Sequence, residues 1–140
     1  MKFGRILMML MALIADTLPE WQDKFLSYKD LKKQLKLIYP NKQHNKDVDK
    51  PDNDIDKKEV NDFVNLLEKE IDKFNTFFLE KEEDYIINLE LLRDSIVGIK
   101  SSEELMRVGR NLVDLHGQMV LLENYSALNY IGLVKILKSM

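Results

Sequence analysis

The stretch Lys57–Ile99, KKEVNDFVNLLEKEIDKFNTFFLEKEEDYIINLELLRDSIVGI, sets the architecture of the chain. Its apolar residues recur at threes and fours through Val60, Val64, Leu67, Ile71, Phe74 and Phe78, then Tyr85, Leu89, Leu92, Ile96 and Ile99. The seam is interrupted only around Lys81 to Asp84. That period belongs to a helix with one buried stripe, not to a strand. At 1.5 Å per residue the helix extends roughly 60 Å, too long for a compact globule and natural in a bundle of elongated helices.

Downstream, Gly98 and Ser101-Ser102-Glu103-Glu104 stop this helix and cap another. The next seam runs through Leu105, Val108, Leu112, Leu115, Met119 and Leu122, and continues less regularly through Tyr125, Leu128, Leu133 and Leu137. Gly132 weakens the helix locally. The tight turn predicts two long antiparallel helices. Upstream, Thr17-Leu18-Pro19-Glu20 has the order of a capping box with proline in the first turn. A helix is therefore predicted from there to Tyr39-Pro40, burying Trp21, Phe25, Tyr28, Leu31 and Leu35 and pairing with an N-terminal helix as a hairpin.

Pro40 to Asp56 is rich in Asn, Asp and Lys with almost no apolar residue, which predicts a flexible linker over 40–56. The 140 residues, 45% hydrophobic and 32% charged, form a single domain over 1–140. The expected fold class is all-α: an N-terminal helical hairpin packed on a bundle with two long antiparallel helices, without strands or internal repeats.

Ile6 to Ala15 is an unbroken apolar run behind Lys2 and Arg5. It imitates a secretory signal, but Ala12-Leu13-Ile14-Ala15 lacks the small-x-small exit, and the run is too short to span a bilayer. A helix apolar all round is predicted instead, buried between neighbours or self-associating through Ile6 to Ile14. The absence of cysteine excludes disulfides, a thiolate nucleophile and Cys-based zinc sites, and suits an intracellular compartment.

The formal charge of −3 is unevenly divided. Met1 to Lys46 holds nine Lys/Arg against four Asp/Glu, about +5, while the remainder is about −8. DNA would meet repulsion over most of such a surface, so direct nucleic-acid binding is not expected; a compact, highly phosphorylated molecule needs only one cationic patch. Two basic segments could supply it, Tyr28-Lys29-Asp30-Leu31-Lys32-Lys33 and Lys135-Ile136-Leu137-Lys138. Tyr28 and Lys32 share a helix face at i, i+4, and Lys135 and Lys138 share one at i, i+3. No metal site is expected from His44 and His116, which have no ligand spacing. Glu80, Glu82, Glu83 and Asp84 read as a solvated helix face, and no phosphate loop or nucleophile motif occurs, so no catalytic residue and no enzyme is predicted.

Four stretches resemble the SPX domain, particularly that of the plant stand-alone SPX proteins: Met1-Lys2-Phe3-Gly4, Thr17 to Ile38 (TLPEWQDKFLSYKDLKKQLKLI), Phe74 to Ile86 with KEEDY inside it, and His116 to Lys138 (HGQMVLLENYSALNYIGLVKILK). The resemblance implies a helical hairpin on a bundle of two long helices and a non-enzymatic sensor of inositol polyphosphates or pyrophosphates that reports cellular phosphate status. It implies a ligand site of Lys2, Tyr28, Lys32 and Lys138, with Lys135 one turn before the last. No cofactor is implied. The implied partner is a MYB coiled-coil transcription factor of the phosphate-starvation response, and the implied location is nucleus and cytoplasm. Two features depart from the family pattern. Ser139 stands where a lysine is expected, with no KKxDK continuation, which implies a less charged site. Ile6 to Ile14 stands where basic and polar residues are usual, which implies an apolar exposed face. The SPX part of a larger phosphate transporter or ubiquitin ligase, and a scaffold with weak or no ligand binding, are the alternatives.

Overall fold

The computed structural model describes residues 2–38 and 53–140. Its helices are α1 (Lys2–Thr17), α2 (Tyr28–Ile38), α3 (Asn53–Val97) and α4 (Ser102–Lys138), with a 3-10 helix at Pro19–Lys24 between the first two. There is no strand among the described residues. The all-α expectation therefore holds. Residues 40–52 of the expected linker lie outside the described residues, and residues 53–56 belong to the first turn of α3.

Helix α3 has 45 residues and α4 has 37, so α3 extends about 67 Å. The turn between them is set by Ser101, whose hydroxyl accepts a hydrogen bond from the Glu104 amide at 3.2 Å. The Glu104 carboxylate in turn accepts from the Lys100 amide at 3.2 Å. Two donors left over at a helix start are thus satisfied by neighbouring side chains, as the SSEE sequence predicts.

The capping box expected at Thr17 does not form. Thr17 is the last residue of α1, and its hydroxyl donates back to the Leu13 carbonyl. The chain then makes the 3-10 helix with Pro19 in its first turn, and Phe25 is extended at φ −74°, ψ 154°. Tertiary hydrogen bonds outweigh helix propensity here. The Leu26 amide donates to Asn129 Oδ1 at 2.6 Å and the Ser27 amide to Glu70 Oε1 at 2.7 Å, so two long-helix side chains hold the break open. Glu70 is itself paired with Lys73 at 2.8 Å, and the Asn129 amide group donates to the Tyr125 carbonyl at 2.6 Å. Trp21, Phe25, Tyr28, Leu31 and Leu35 are all buried as expected, but from two short helices and a corner rather than one continuous stripe.

The core lies at one end of the α3–α4 hairpin. Trp21, Phe25, Phe77 and Tyr125 form an aromatic cluster with centroids 4.8 to 5.7 Å apart, in edge and tilted geometries that aromatic quadrupoles favour. The Tyr125 hydroxyl donates to the Lys24 carbonyl at 2.6 Å, tying the 3-10 helix down. Burial, and secondarily Glu70, raises the Tyr125 phenol far above its ordinary range. Helix α1 packs on the 3-10 helix and α4, and α2 packs on α3 and α4. Where α4 meets the first half of the chain, Gly132 is buried. A Cβ there would stand 3.0 Å from Leu26 and 3.2 Å from Leu7, so this glycine allows a close approach.

The long seams are only partly buried. Phe63, Phe77 and Tyr85 of α3 and Leu115, Leu122 and Ile136 of α4 are buried, whereas Val60, Val64, Leu89, Ile96, Leu105, Leu112 and Met119 remain exposed. From 86 to 114 no residue is buried, because no described third element lies against that arm. The prediction for α1 divides in the same way: Leu7, Met11 and Ile14 are buried, while Ile6, Met9, Leu10 and Leu13 face outward.

A candidate anion-binding groove

The corner at Phe25–Ser27 fixes where α2 begins and hence where its lysines point. The Leu31 amide takes up the Ser27 carbonyl at 3.0 Å, and the helix then places Tyr28, Leu31 and Leu35 inward. Its other face meets α1 across an open groove of about 710 Å³, lined by Gly4, Arg5, Met8 and Met9 on one side and Tyr28, Lys29, Lys32, Lys33 and Lys36 on the other. Gly4 permits the approach: the Tyr28 ring stands 3.3 Å from the position of an added Cβ.

Of the expected site residues, Tyr28 and Lys32 line the groove, and Lys135 stands beside it across Phe3. Lys32 Nζ sits 5.6 Å from the Tyr28 ring centroid and Lys135 Nζ 5.0 Å from that of Phe3. Phe3 and Tyr28 make an edge contact at 6.2 Å, so the lysines flank a single aromatic pair. The Lys32 ammonium is held below its ordinary pKa, first by burial and then by the charges of Lys36 and Lys135. Cations are gathered here without a counter-charge: among the described residues the one ion pair is Lys73 with Glu70, on the other side of the corner. Such a cluster favours an anion, because each added negative charge relieves repulsion already present in the fold.

The remaining expected residues sit differently. Lys138 is exposed one turn beyond Lys135 and does not line the groove. Lys2 begins α1, but its side chain lies outside the described residues. The Tyr28 hydroxyl is buried without a hydrogen-bond partner, and burial raises its pKa. A hydrogen bond from it to a ligand requires the cover over the hydroxyl to open. The Ser139 hydroxyl is engaged with the Lys135 carbonyl at 2.9 Å.

Lys29 and Lys33 belong to the basic segment read from the sequence but not to the expected ligand set, and Arg5 and Lys36 were in neither. Lys36 could have been found from its position one turn after Lys32, whereas Arg5 joins only because α1 lies beside α2. No group of His, Asp and Glu among the described residues could hold a metal ion, and His116 is exposed.

An all-α bundle whose two N-terminal helices hold a cationic groove against a long helical hairpin is the class that the coordinates define. Residues 1–61 match the SPX domain model. The chain is 56% identical to SPX domain-containing protein 1 of Arabidopsis thaliana, over 99% of this chain and 54% of that protein. It is 52% identical to SPX domain-containing protein 2 of the same plant, over 99% of this chain and 51% of that protein. It is also 52% identical to SPX domain-containing protein 1 of Oryza sativa subsp. japonica, with the same coverage of 99% and 51%. The chain thus carries an SPX domain, matched by the family model over residues 1–61 and resembling these relatives over 99% of its length. It spans about half the length of these curated relatives.

Proposed function

We propose that the groove between α1 and α2 binds an inositol polyphosphate or pyrophosphate, and that the domain thereby reports cellular phosphate status. The observation that carries this reading is the placement of Lys32 and Lys135 on either side of the Phe3–Tyr28 pair, with Lys36 along the same groove wall as Lys32. Phosphates arranged around a small ring present several charges within one such groove, and ammonium groups meet them as point charges without demanding a fixed plane. Arg5 adds a forked donor on the opposite wall.

The ligand-loaded domain then engages a MYB coiled-coil transcription factor of the phosphate-starvation response and keeps it from DNA, in nucleus and cytoplasm. Similarity to the plant stand-alone SPX proteins supports this step. Ligand and partner are coupled because filling the groove neutralises a cationic surface and fixes α1 against α2, so each raises the affinity of the other.

Titration calorimetry with inositol hexakisphosphate and with an inositol pyrophosphate tests the site. Saturable binding is expected, weakened by added salt, and weakened by about one to two decades in Lys32→Ala, since a hydrogen bond to a charged group is worth about 1.5–3 kcal/mol. Absence of saturable binding to the folded parent chain overturns the reading. For the partner step, capture of the coiled-coil segment should depend on added inositol phosphate; ligand-independent capture would favour a scaffold.

A further inference from the structure

Helix α1 has two apolar faces. Leu7, Met11 and Ile14, at i, i+4 and i+7, are buried in the bundle. Ile6, Met9, Leu10 and Leu13, at i, i+3, i+4 and i+7, form a second stripe that stays 40% to 58% exposed. No charged residue interrupts the helix between Arg5 and Asp16. A surface helix ordinarily turns polar residues outward, so a continuous outer stripe of this kind marks a contact surface.

What covers it is indicated by the charge beside it. Met9 belongs both to the stripe and to the groove wall, where Arg5, Lys29, Lys33 and Lys36 are exposed. A second copy of the chain packed symmetrically on this face would bring two cationic rims of like sign together. An anionic bilayer satisfies both components: apolar side chains enter the boundary of the acyl region, and the cations meet lipid phosphates and carboxylates. The helix would lie in the plane of the interface, since no helix among the described residues is long and apolar enough to cross a membrane.

We propose that the outer face of α1, Ile6, Met9, Leu10 and Leu13, together with the cationic rim of α2, docks the folded domain peripherally on an anionic phospholipid surface. This goes beyond the polyphosphate reading, in which Ile6 and Leu13 have no part. The two share groove cations, so a soluble polyphosphate competes with the membrane.

Co-sedimentation of the whole chain with phosphatidylcholine vesicles, with and without phosphatidylserine, tests it. Partition into the phosphatidylserine vesicles alone is expected, reduced by salt and by inositol hexakisphosphate. The double substitution Ile6→Gln, Leu13→Gln should reduce partition at least tenfold. It should leave the helical circular dichroism and calorimetric inositol hexakisphosphate binding unchanged. No partition of the parent at low salt, or equal partition of the double variant, overturns the proposal. A dimer in sedimentation equilibrium that the same substitutions dissolve, without vesicle binding, also overturns it and assigns the face to a second copy. Vesicle partition without hexakisphosphate binding would remove the polyphosphate reading and leave this one standing.

Discussion

Asn129 shows how one polar side chain can set the geometry of a distant site. It is fully buried on the inner face of α4, accepts from Leu26 and donates to Tyr125. Removing it leaves a buried amide without an acceptor, at a cost of about 1–3 kcal/mol. Asn129→Ala is therefore expected to lower the urea midpoint with an unchanged m-value; an unaltered midpoint would mean that water replaces the side chain. At this scale the sequence was legible where chemistry repeats and illegible where it is singular. Lys32 and Lys135 stand out by charge and family motif. Asn129 and Glu70 are lone polar residues in apolar seams, and the backbone donors they satisfy lie 103 and 43 positions away.

Among elements, the α3–α4 turn and the corner before α2 make an instructive pair. Both follow a capping-box spelling, SSEE and TLPE, and one of them caps a helix. At Ser101 the flanking chain is solvated and local preference decides. At Thr17 the following residues are claimed by the aromatic cluster and by Asn129 and Glu70, which draw Trp21 and Phe25 inward and break the helix. Periodicity could not expose this, because spacings of three and four satisfy a 3-10 helix followed by a corner as well as a continuous helix. Ser101→Ala should cost about 0.5–2 kcal/mol, read as a lower thermal midpoint by circular dichroism. No shift would place the unfolding of the turn outside the cooperative transition.

For the molecule as a whole, stability is concentrated at one end. The hairpin arm over residues 86–114 has no buried side chain, whereas Phe63, Phe77, Leu122, Tyr125 and Ile136 lie in the hydrophobic core. Amides around 90–112 should exchange with deuterium much faster than those around 63–77 and 122–136; uniform protection would require a cover over the arm. The all-α class and the two long antiparallel helices were legible because length and period state them directly. The one-sided core was not, since exposure of a seam depends on which neighbours reach it. The hydrogen bond between Leu26 and Asn129, across 103 positions, also imposes an order in time. Loop closure of that length must precede it. On the ribosome, α1 and α2 emerge long before the residue that fixes their corner and before Lys135, so a nascent chain displays its lysines well ahead of any groove that could organise them.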